Sequence, residues 1–255
     1  NQVYSLAVVG STVYAGGLFW TVGGQTRRYV AALDPAPGVA TAWNPGTSSF
    51  VYTLVPSGAA IYLGGSFSSV GVVKRNGVAA LDLATGAATS WNPNPNGRAY
   101  ALAVSGNVLY VGGDFTTIAG QPRNRIAAFD ATTGAVSPWN PNANAVVSVL
   151  AAADPMVYAA GGFTSIGGLP RANLAQLDAA TGLATSWNPN PNSSVSTLLL
   201  DGGFVYAGGG FTNIGLLARN RIAQLDATGA ATGWNPNANN TVMALAKIGS
   251  MVYAG

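Results

Sequence analysis

Short apolar stretches alternate with clusters of glycine, asparagine, serine, threonine and proline along the whole chain, and the alternation repeats every 48 residues. In the third copy the apolar stretches are Tyr100–Val104, Val108–Gly112, Ile126–Asp130 and Ala135–Trp139. Each stretch has the length of a strand, and the glycines and prolines that recur between them would break a helix. The pattern therefore predicts four short antiparallel strands in each copy.

Individual residues recur at the same spacing and fix the register of the copies. Every complete copy contains a tyrosine, an arginine, an aspartate and a tryptophan at equivalent positions, and Asn-Pro follows the tryptophan. The last step is one residue shorter because the turn after Asp226 has lost a residue. We delimit the copies as residues 1–49, 50–97, 98–145, 146–193 and 194–240, followed by a partial copy, 241–255.

Repeats of this length that contain four short strands are typical of β-propellers. A propeller blade packs between two others, so its inner strands carry apolar side chains on both faces, as Val30–Leu33 and Ile126–Phe129 do. We therefore predict an all-β chain that forms a single β-propeller domain over residues 1–255. A β-solenoid with two coils in each copy is the alternative fold.

The partial copy bears on the number of blades. Residues 241–255 match the first two strands of a copy, and residues 1–4 align with 240–243, inside a copy. We therefore expect a segment of a longer chain that closes with six blades, residues upstream of Asn1 supplying the remaining strands of the sixth. Seven or eight blades remain open if more of the chain is missing.

The chain carries few charges: 11 lysines and arginines face 8 acidic residues, all of them aspartates, and it has no histidine or cysteine. The absence of cysteine excludes thiolate metal sites and disulfides. The cations are spread along the copies without forming a basic stripe, so we expect no nucleic-acid partner. No apolar run approaches the length of a spanning helix, so we expect no membrane insertion.

The repeated motif is similar to that of a known family. In the third copy it reads Tyr110-Val-Gly-Gly113-Asp-Phe115, Arg123-Asn-Arg-Ile126, Asp130-Ala-Thr-Thr-Gly134 and Trp139-Asn-Pro. This motif resembles the delta-60 repeat, a β-propeller domain of unknown function, and the resemblance extends over the whole chain. It implies a propeller of large secreted or surface-attached bacterial proteins, and it supplies no catalytic residues.

A second resemblance is more limited. The stretch from Ala128 through Asp130 and Gly134 to Trp139 resembles the tryptophan-docking motif of quinoprotein dehydrogenase propellers, with four residues instead of three before the tryptophan. That family implies a quinone and a calcium ion bound by Glu, Asn and Asp, often beside a pair of cysteines. This chain has neither glutamate nor cysteine, so we expect no cofactor and no metal.

The recurring tryptophan, arginine and aspartate have a structural and a functional interpretation. The tryptophans could stack on sugars, but we expect them to wedge between adjacent blades. The arginines and aspartates could form rings of ligand-binding charge. We expect instead that the aspartates accept backbone N–H groups in a turn, and that the arginines pair across blades or stack on tryptophan.

Differences between copies indicate where a ligand could bind. The loop after the second strand carries Trp20 in the first copy and Asp114 in the third, and Arg125 and Arg221 lie at the ends of two such loops. Loops on one face of a propeller often carry function. These four residues are our candidate ligand-binding residues, although neutral variation among copies would explain the same differences.

No catalytic constellation is recognisable, because no histidine, cysteine or glutamate is present and no carboxylate pair recurs. We expect a non-catalytic, extracellular or cell-surface propeller that serves as a scaffold, adhesion or assembly module. Its partners would be domains of the same chain or surface glycans. A multivalent lectin is the alternative, and a quinoprotein-like dehydrogenase is a remote one.

Overall fold

The computed structural model describes residues 2–255, and every regular element in this range is a β-strand or a β-bridge. The strand ladders are antiparallel and join strands of the same copy. This arrangement confirms the predicted all-β repeat of antiparallel strand groups. It differs from a β-solenoid, in which strands of successive coils pair with one another.

The chain divides into two compact units. The N-terminal unit comprises residues up to Arg123 together with Phe129–Val136, and the C-terminal unit comprises Asn124–Ala128 together with Ser137–Gly255. Within each unit, a complete sheet has the second strand of a copy in the middle, between the first and third strands.

Each complete copy contributes three main strands. The first strands are Gln2–Val9, Val51–Ser57, Ala99–Ser105, Val147–Ala153 and Val195–Asp201. The second strands are Thr12–Leu18, Ala60–Gly65, Val108–Gly113, Met156–Gly161 and Phe204–Gly209. The third strands are Val30–Leu33, Val78–Asp82, Ile126–Asp130, Leu174–Asp178 and Ile222–Leu225. The partial copy contributes one hairpin, Leu245–Ile248 with Met251–Ala254.

A minor hairpin of two-residue strands interrupts the loop between the second and third strands of each complete copy. These hairpins are Thr21–Val22 with Gln25–Thr26, Ser69–Val70 with Val73–Lys74, Thr117–Ile118 with Gln121–Pro122, Ser165–Ile166 with Leu169–Pro170, and Asn213–Ile214 with Leu217–Ala218.

The fourth strand predicted for each copy is wrong. In the third copy the predicted strand Ala135–Trp139 is reduced to a single bridge between Phe129 and Val136. The other complete copies have the same single bridge, Leu33 with Ala40, Leu81 with Ala88, Leu177 with Ala184, and Leu225 with Ala231.

Side chains end this fourth strand by taking over the backbone groups that would continue it. In the first copy Thr41 N–H still donates to Ala32 O in the third strand, at 2.9 Å. The next groups then turn to side chains, because the Thr41 hydroxyl accepts the N–H of Trp43 and the Arg27 guanidinium donates to Thr41 O. Local bonds of this kind compete with a strand ladder.

The core of each unit contains phenylalanines from the loop that follows the second strand. Each is at most 2% exposed, and burial of such a ring contributes roughly 1.5–3 kcal/mol relative to an exposed one. The five equivalent residues are Phe19, Phe67, Phe115, Phe163 and Phe211. They anchor the loop that follows each second strand to the core.

Glycine at the end of the second strand allows the first strand to approach closely. A Cβ on Gly65 would lie 2.2 Å from Phe50 O, and one on Gly161 would lie 2.0 Å from Val146 O. Such distances are far below van der Waals contact, so only glycine fits. The same clash would occur at Gly17, Gly113 and Gly209.

Candidate ligand-binding site on the bulged first strands

The recurring tryptophans join consecutive copies. In the C-terminal unit the Trp187 ring meets the Tyr158 ring of its own copy edge-on, with centroids 5.4 Å apart, and its Nε1–H donates to Asp226 O of the next copy at 3.0 Å. Trp43 bonds to Asp82 O at 3.3 Å in the same way within the N-terminal unit. The predicted wedge between adjacent copies is therefore confirmed for these residues.

The recurring aspartates organise turns, as predicted. The Oδ1 atom of Asp178 accepts the backbone N–H groups of Ala180 and Thr181 at 3.1 and 2.7 Å and the Thr181 hydroxyl at 2.8 Å. These bonds hold the pKa of Asp178 below its ordinary value, the Thr181 hydroxyl having the largest effect. The pKa values of Asp82, Asp130 and Asp226 are lowered by equivalent bonds.

The recurring arginines bind backbone carbonyls in their own copy. Arg171 donates from one guanidinium nitrogen to Pro170 O at 2.7 Å and from the other to Thr185 O. The predicted pairing with charges of another blade, or stacking on tryptophan, is wrong for Arg27, Arg75, Arg171 and Arg219. The threonine carbonyls that they bind lie just after the single bridge of the fourth strand, so the guanidinium supplies the hydrogen bond that a longer strand ladder would have made.

A bulge near the start of each first strand sets one residue outside the ladder. In the second copy Val51 pairs with Gly65 and Thr53 with Gly64, so Tyr52 has no partner in the second strand. A bulge of this type redirects a side chain. The bulged residues of the five copies are Tyr4, Tyr52, Tyr100, Ser148 and Ser196.

The three bulged tyrosines form a row in the N-terminal unit. The ring centroids of Tyr52 and Tyr100 are 5.2 Å apart with an interplanar angle of 31°, and those of Tyr4 and Tyr52 are 5.8 Å apart at 50°. The row follows from the neighbouring first strands, which are also joined by a bond from Leu54 N–H to Ser5 Oγ. We call Tyr4, Tyr52 and Tyr100 the tyrosine row.

A carboxylate and a guanidinium lie at one end of the tyrosine row. Arg98 donates from its guanidinium to the Tyr100 hydroxyl at 3.0 Å, and that hydroxyl donates to Asp114 Oδ2 at 3.2 Å. Asp114 Oδ1 also accepts the Arg98 backbone N–H at 2.5 Å. Partial burial raises the pKa of Tyr100, and the bond to Tyr100 raises the pKa of Arg98. This end therefore offers one positive and one negative group.

Further aromatic rings connect the tyrosine row to Trp20. The centroid separations are 6.4 Å from Tyr52 to Phe50, 5.7 Å from Phe50 to Tyr29 and 6.0 Å from Tyr29 to Trp20. The guanidinium carbon of Arg28 lies 4.9 Å from the centroid of the Trp20 ring. Trp20 is 53% exposed, so this end of the aromatic network is accessible to solvent.

The four candidate residues predicted from the sequence are thus divided. Trp20 and Asp114 lie at opposite ends of one aromatic network in the N-terminal unit. Arg221 belongs to the C-terminal unit, where its guanidinium donates to Gly210 O at 2.7 Å. Arg125, also in that unit, lines a cleft of about 310 Å³ with Asn142 and Asn144. Both arginines have a positive φ, 68° for Arg125 and 66° for Arg221.

Sequence reasoning missed the tyrosine row. The available signal was a tyrosine two residues before Leu6, Leu54 and Leu102, where the next two copies have serine. The bulge occurs in every complete copy, so it causes no difference in sequence pattern between the copies. The tyrosines were visible in the sequence, but the contact between their rings was not.

A cleft of about 510 Å³ opens beside Trp91 in the N-terminal unit. Trp91 is half-buried and its Nε1–H bonds to Gly134 O, not to an aspartate carbonyl. The Phe129 ring packs edge-on against it, centroids 5.4 Å apart, where other copies have the smaller leucine. A second cleft of about 490 Å³ lies near Pro141 and Gly182 in the C-terminal unit. Both have volumes typical of ligand sites.

Residues 2–255 contain neither a cluster of metal ligands nor a helix that could span a membrane. No group of three or more acidic, histidine or cysteine residues is placed to hold a metal ion. No helix in this range is long and apolar enough to cross a membrane.

Comparisons with known proteins gave one family match and similarity to two designed proteins. A family model described as a β-propeller domain of unknown function, DUF5122, matches residues 107–132 in the third copy. The crystal structure of the computationally designed Ika8 protein is similar, with a TM-score of 0.66 and 18% identity over 99% of this chain and 67% of that one. The designed Ika4 protein, also 18% identical, gives a TM-score of 0.49 over 69% and 91% of the two chains. No curated protein sequence matches.

At this identity the similarity to Ika8 concerns the fold alone. The family match is short, and it supports a β-propeller repeat of unknown function. The specific resemblance to the delta-60 repeat stays a prediction.

Proposed function

We propose that this chain is a non-catalytic, six-bladed β-propeller module, located outside the cell or on its surface, that serves in scaffolding, adhesion or assembly. One observation carries the proposal: in successive copies the same side chains that could perform chemistry maintain the fold. The column aspartates hold turns, the column arginines bind backbone carbonyls, and the column tryptophans join consecutive copies.

The burial of Leu54 and Leu102 supports the packing of blades on one another. Leu54 and Leu102 are 4% and 5% exposed, whereas Leu6 at the same position of the first copy is 63% exposed. Leu54 packs on the core of the preceding copy, beside Tyr14 and Val30. The hairpin of the partial copy belongs to the sixth blade.

Adhesion of coated beads tests the proposed function. Beads carrying the chain are applied to surfaces coated with the same chain, with bacterial surface polysaccharide and with extracellular proteins. We expect retention on at least one surface, without chemical change to it. Beads that are retained nowhere, together with turnover of a glycoside, ester or phosphoester substrate, would contradict a non-catalytic module. Cell fractionation of the source organism tests the proposed location.

A multivalent lectin is the second candidate function. It is favoured by two clefts of similar volume. One is lined by Trp91 and Pro93, and the other is lined by Pro141, which is equivalent to Pro93 in the next copy. A lectin with a site at each junction of copies would bind several sugars per chain and would quench tryptophan fluorescence. A quinoprotein-like dehydrogenase is not favoured, because Asp130 of the resembling motif holds a turn and the chain lacks glutamate and cysteine.

A further inference from the structure

We propose that the tyrosine row is a single binding site for a neutral oligosaccharide. The inference rests on the proposed adhesion function and names the surface and the ligand class through which adhesion occurs. It differs from the multivalent lectin in both location and stoichiometry, because the row is formed by the first three copies together.

The bulge itself does not require tyrosine. Ser148 and Ser196 occupy the same bulge in the fourth and fifth copies, with the same shift of register against the second strand. The fold therefore accepts a small polar side chain at this position. The first three copies nevertheless have tyrosine there, and the bulge does not require so large a side chain. Tyr4 is 44% exposed, and the other two tyrosines are partly exposed.

The geometry of the row suits a chain of sugar rings. The apolar C–H faces of a sugar pack on aromatic rings, while its hydroxyls require hydrogen-bonding groups around them. Centroid separations of 5.2 and 5.8 Å, with interplanar angles of 31° and 50°, place three tilted rings in contact across three first strands. Polar groups lie along it: the Gln2 amide oxygen accepts the Tyr4 hydroxyl at 2.9 Å, and Arg98 and Asp114 flank Tyr100.

The charges favour a neutral ligand. Arg98 and Asp114 both hydrogen-bond to the Tyr100 hydroxyl. An anion that approaches Arg98 is therefore repelled by the Asp114 carboxylate, and a cation that approaches Asp114 is repelled by the Arg98 guanidinium. A sugar hydroxyl can donate to the carboxylate and accept from the guanidinium. Because the pair is balanced, we choose a neutral oligosaccharide over an acidic polysaccharide or a charged peptide.

Titration calorimetry of the whole chain tests the proposal. The probes are tetrasaccharides of β-1,4-linked glucose, β-1,4-linked N-acetylglucosamine and α-1,4-linked glucose, preceded by a neutral glycan array. We expect one oligosaccharide to bind per chain. Tyr52→Ser should weaken binding about tenfold, and Tyr52→Phe should change it less than about threefold, since the ring is kept.

Ser148→Tyr is the matched control, because it introduces tyrosine at the same bulge in a different copy. It should leave affinity and stoichiometry unchanged. If Tyr52→Ser lowers the melting temperature enough to prevent the measurement, Tyr4→Ser replaces it, since Tyr4 is more exposed.

Four results would overturn the proposal: no binding of any neutral glycan, several glycans per chain, unchanged affinity in Tyr52→Ser, or binding of a proline-rich peptide that competes for the row. Failure of the proposed function is distinguishable. Beads that adhere to protein surfaces without glycan binding would leave the module intact and remove only this site. Turnover of a bound sugar would remove the non-catalytic function.

Discussion

The indole Nε1–H of Trp187 donates to the backbone carbonyl oxygen of Asp226 at 3.0 Å, although the two residues belong to different copies. Asp226 also holds its own turn, since its Oδ1 atom accepts Thr228 N–H at 2.8 Å. The turn that presents the carbonyl is thus fixed by the same residue. The equivalent bond from Trp139 to Asp178 is also 3.0 Å.

The first prediction concerns the indole hydrogen bond. Trp187→Phe keeps an aromatic ring but removes one of the two donors to Asp226 O, which still accepts the Gly229 N–H, and should lower the free energy of unfolding by about 1 kcal/mol. Urea unfolding followed by circular dichroism measures the change. Trp20→Phe, at an exposed position, should change it by about 0.5 kcal/mol or less. Equal effects of the two variants would contradict the structural role of Trp187.

Two adjacent glycines provide the second prediction. A Cβ on Gly161 would lie 2.0 Å from Val146 O, whereas one on Gly162 would meet nothing within 4 Å. Gly161→Ala should therefore lower the free energy of unfolding by about 1–3 kcal/mol or more, because the first strand must move. Gly162→Ala is the control and should be nearly neutral. Thermal unfolding of both variants checks this, and similar melting temperatures would refute the close approach.

The third prediction concerns pH. Bonds from Thr181 lower the pKa of Asp178. A carboxyl whose pKa is lower when folded stabilises the protein fully above its unfolded pKa, about 3.9. That stabilisation is lost as the pH falls through the folded pKa. We therefore expect stability to decline below about pH 4.

The Thr181 hydroxyl has the largest effect on this pKa, so Thr181→Val should raise the pKa of Asp178 and Thr181→Ser should preserve it. Carboxyl carbon shifts followed by nuclear magnetic resonance during a pH titration measure both. An unchanged pKa in Thr181→Val would show that the turn does not depend on the hydroxyl.

The fourth prediction concerns Arg171, which is 9% exposed. Its guanidinium donates to Pro170 O and Thr185 O from two separate nitrogens, a fork that the single ammonium nitrogen of lysine does not reproduce. Arg171→Lys should lower the free energy of unfolding by about 1.5–3 kcal/mol. Arg28→Lys, on an exposed arginine, should cost about 1 kcal/mol or less. Denaturant unfolding measures both variants. An unchanged free energy of unfolding in Arg171→Lys would contradict the structural role of the Arg171 guanidinium.

The sequence predicted most of the strands because strand and turn signals alternate clearly. In the third copy the predicted Ile126–Asp130 coincides with the observed strand, and Val108–Gly112 is one residue short. The prediction failed for Ala135–Trp139, where the apolar pattern continues but side chains replace the ladder. A hydroxyl two residues before each of the five recurring tryptophans was visible. Its competition with strand pairing depends, however, on the tertiary position of the arginine.

The candidate site was only partly predictable. Trp20 and Asp114 were identified because they differ from the other copies at their positions. Tyr52 and Tyr100 were not, because their contact depends on the bulge and on the packing of neighbouring first strands. The alternation of apolar and polar residues along a strand predicts neither the bulge nor the packing of one first strand on the next. The preference of Arg98 for the Tyr100 hydroxyl likewise follows only from three-dimensional proximity.

The central claim is that recurring side chains join the copies together and are not available to a ligand. Hydrogen exchange of the six indole N–H groups tests it most directly. We expect the indole protons of Trp43, Trp139 and Trp187 to exchange slowly, since each is buried and bonded to a carbonyl of the next copy. The exposed Trp20 should exchange fast. Exchange of all these indoles at the rate of Trp20 would contradict the account.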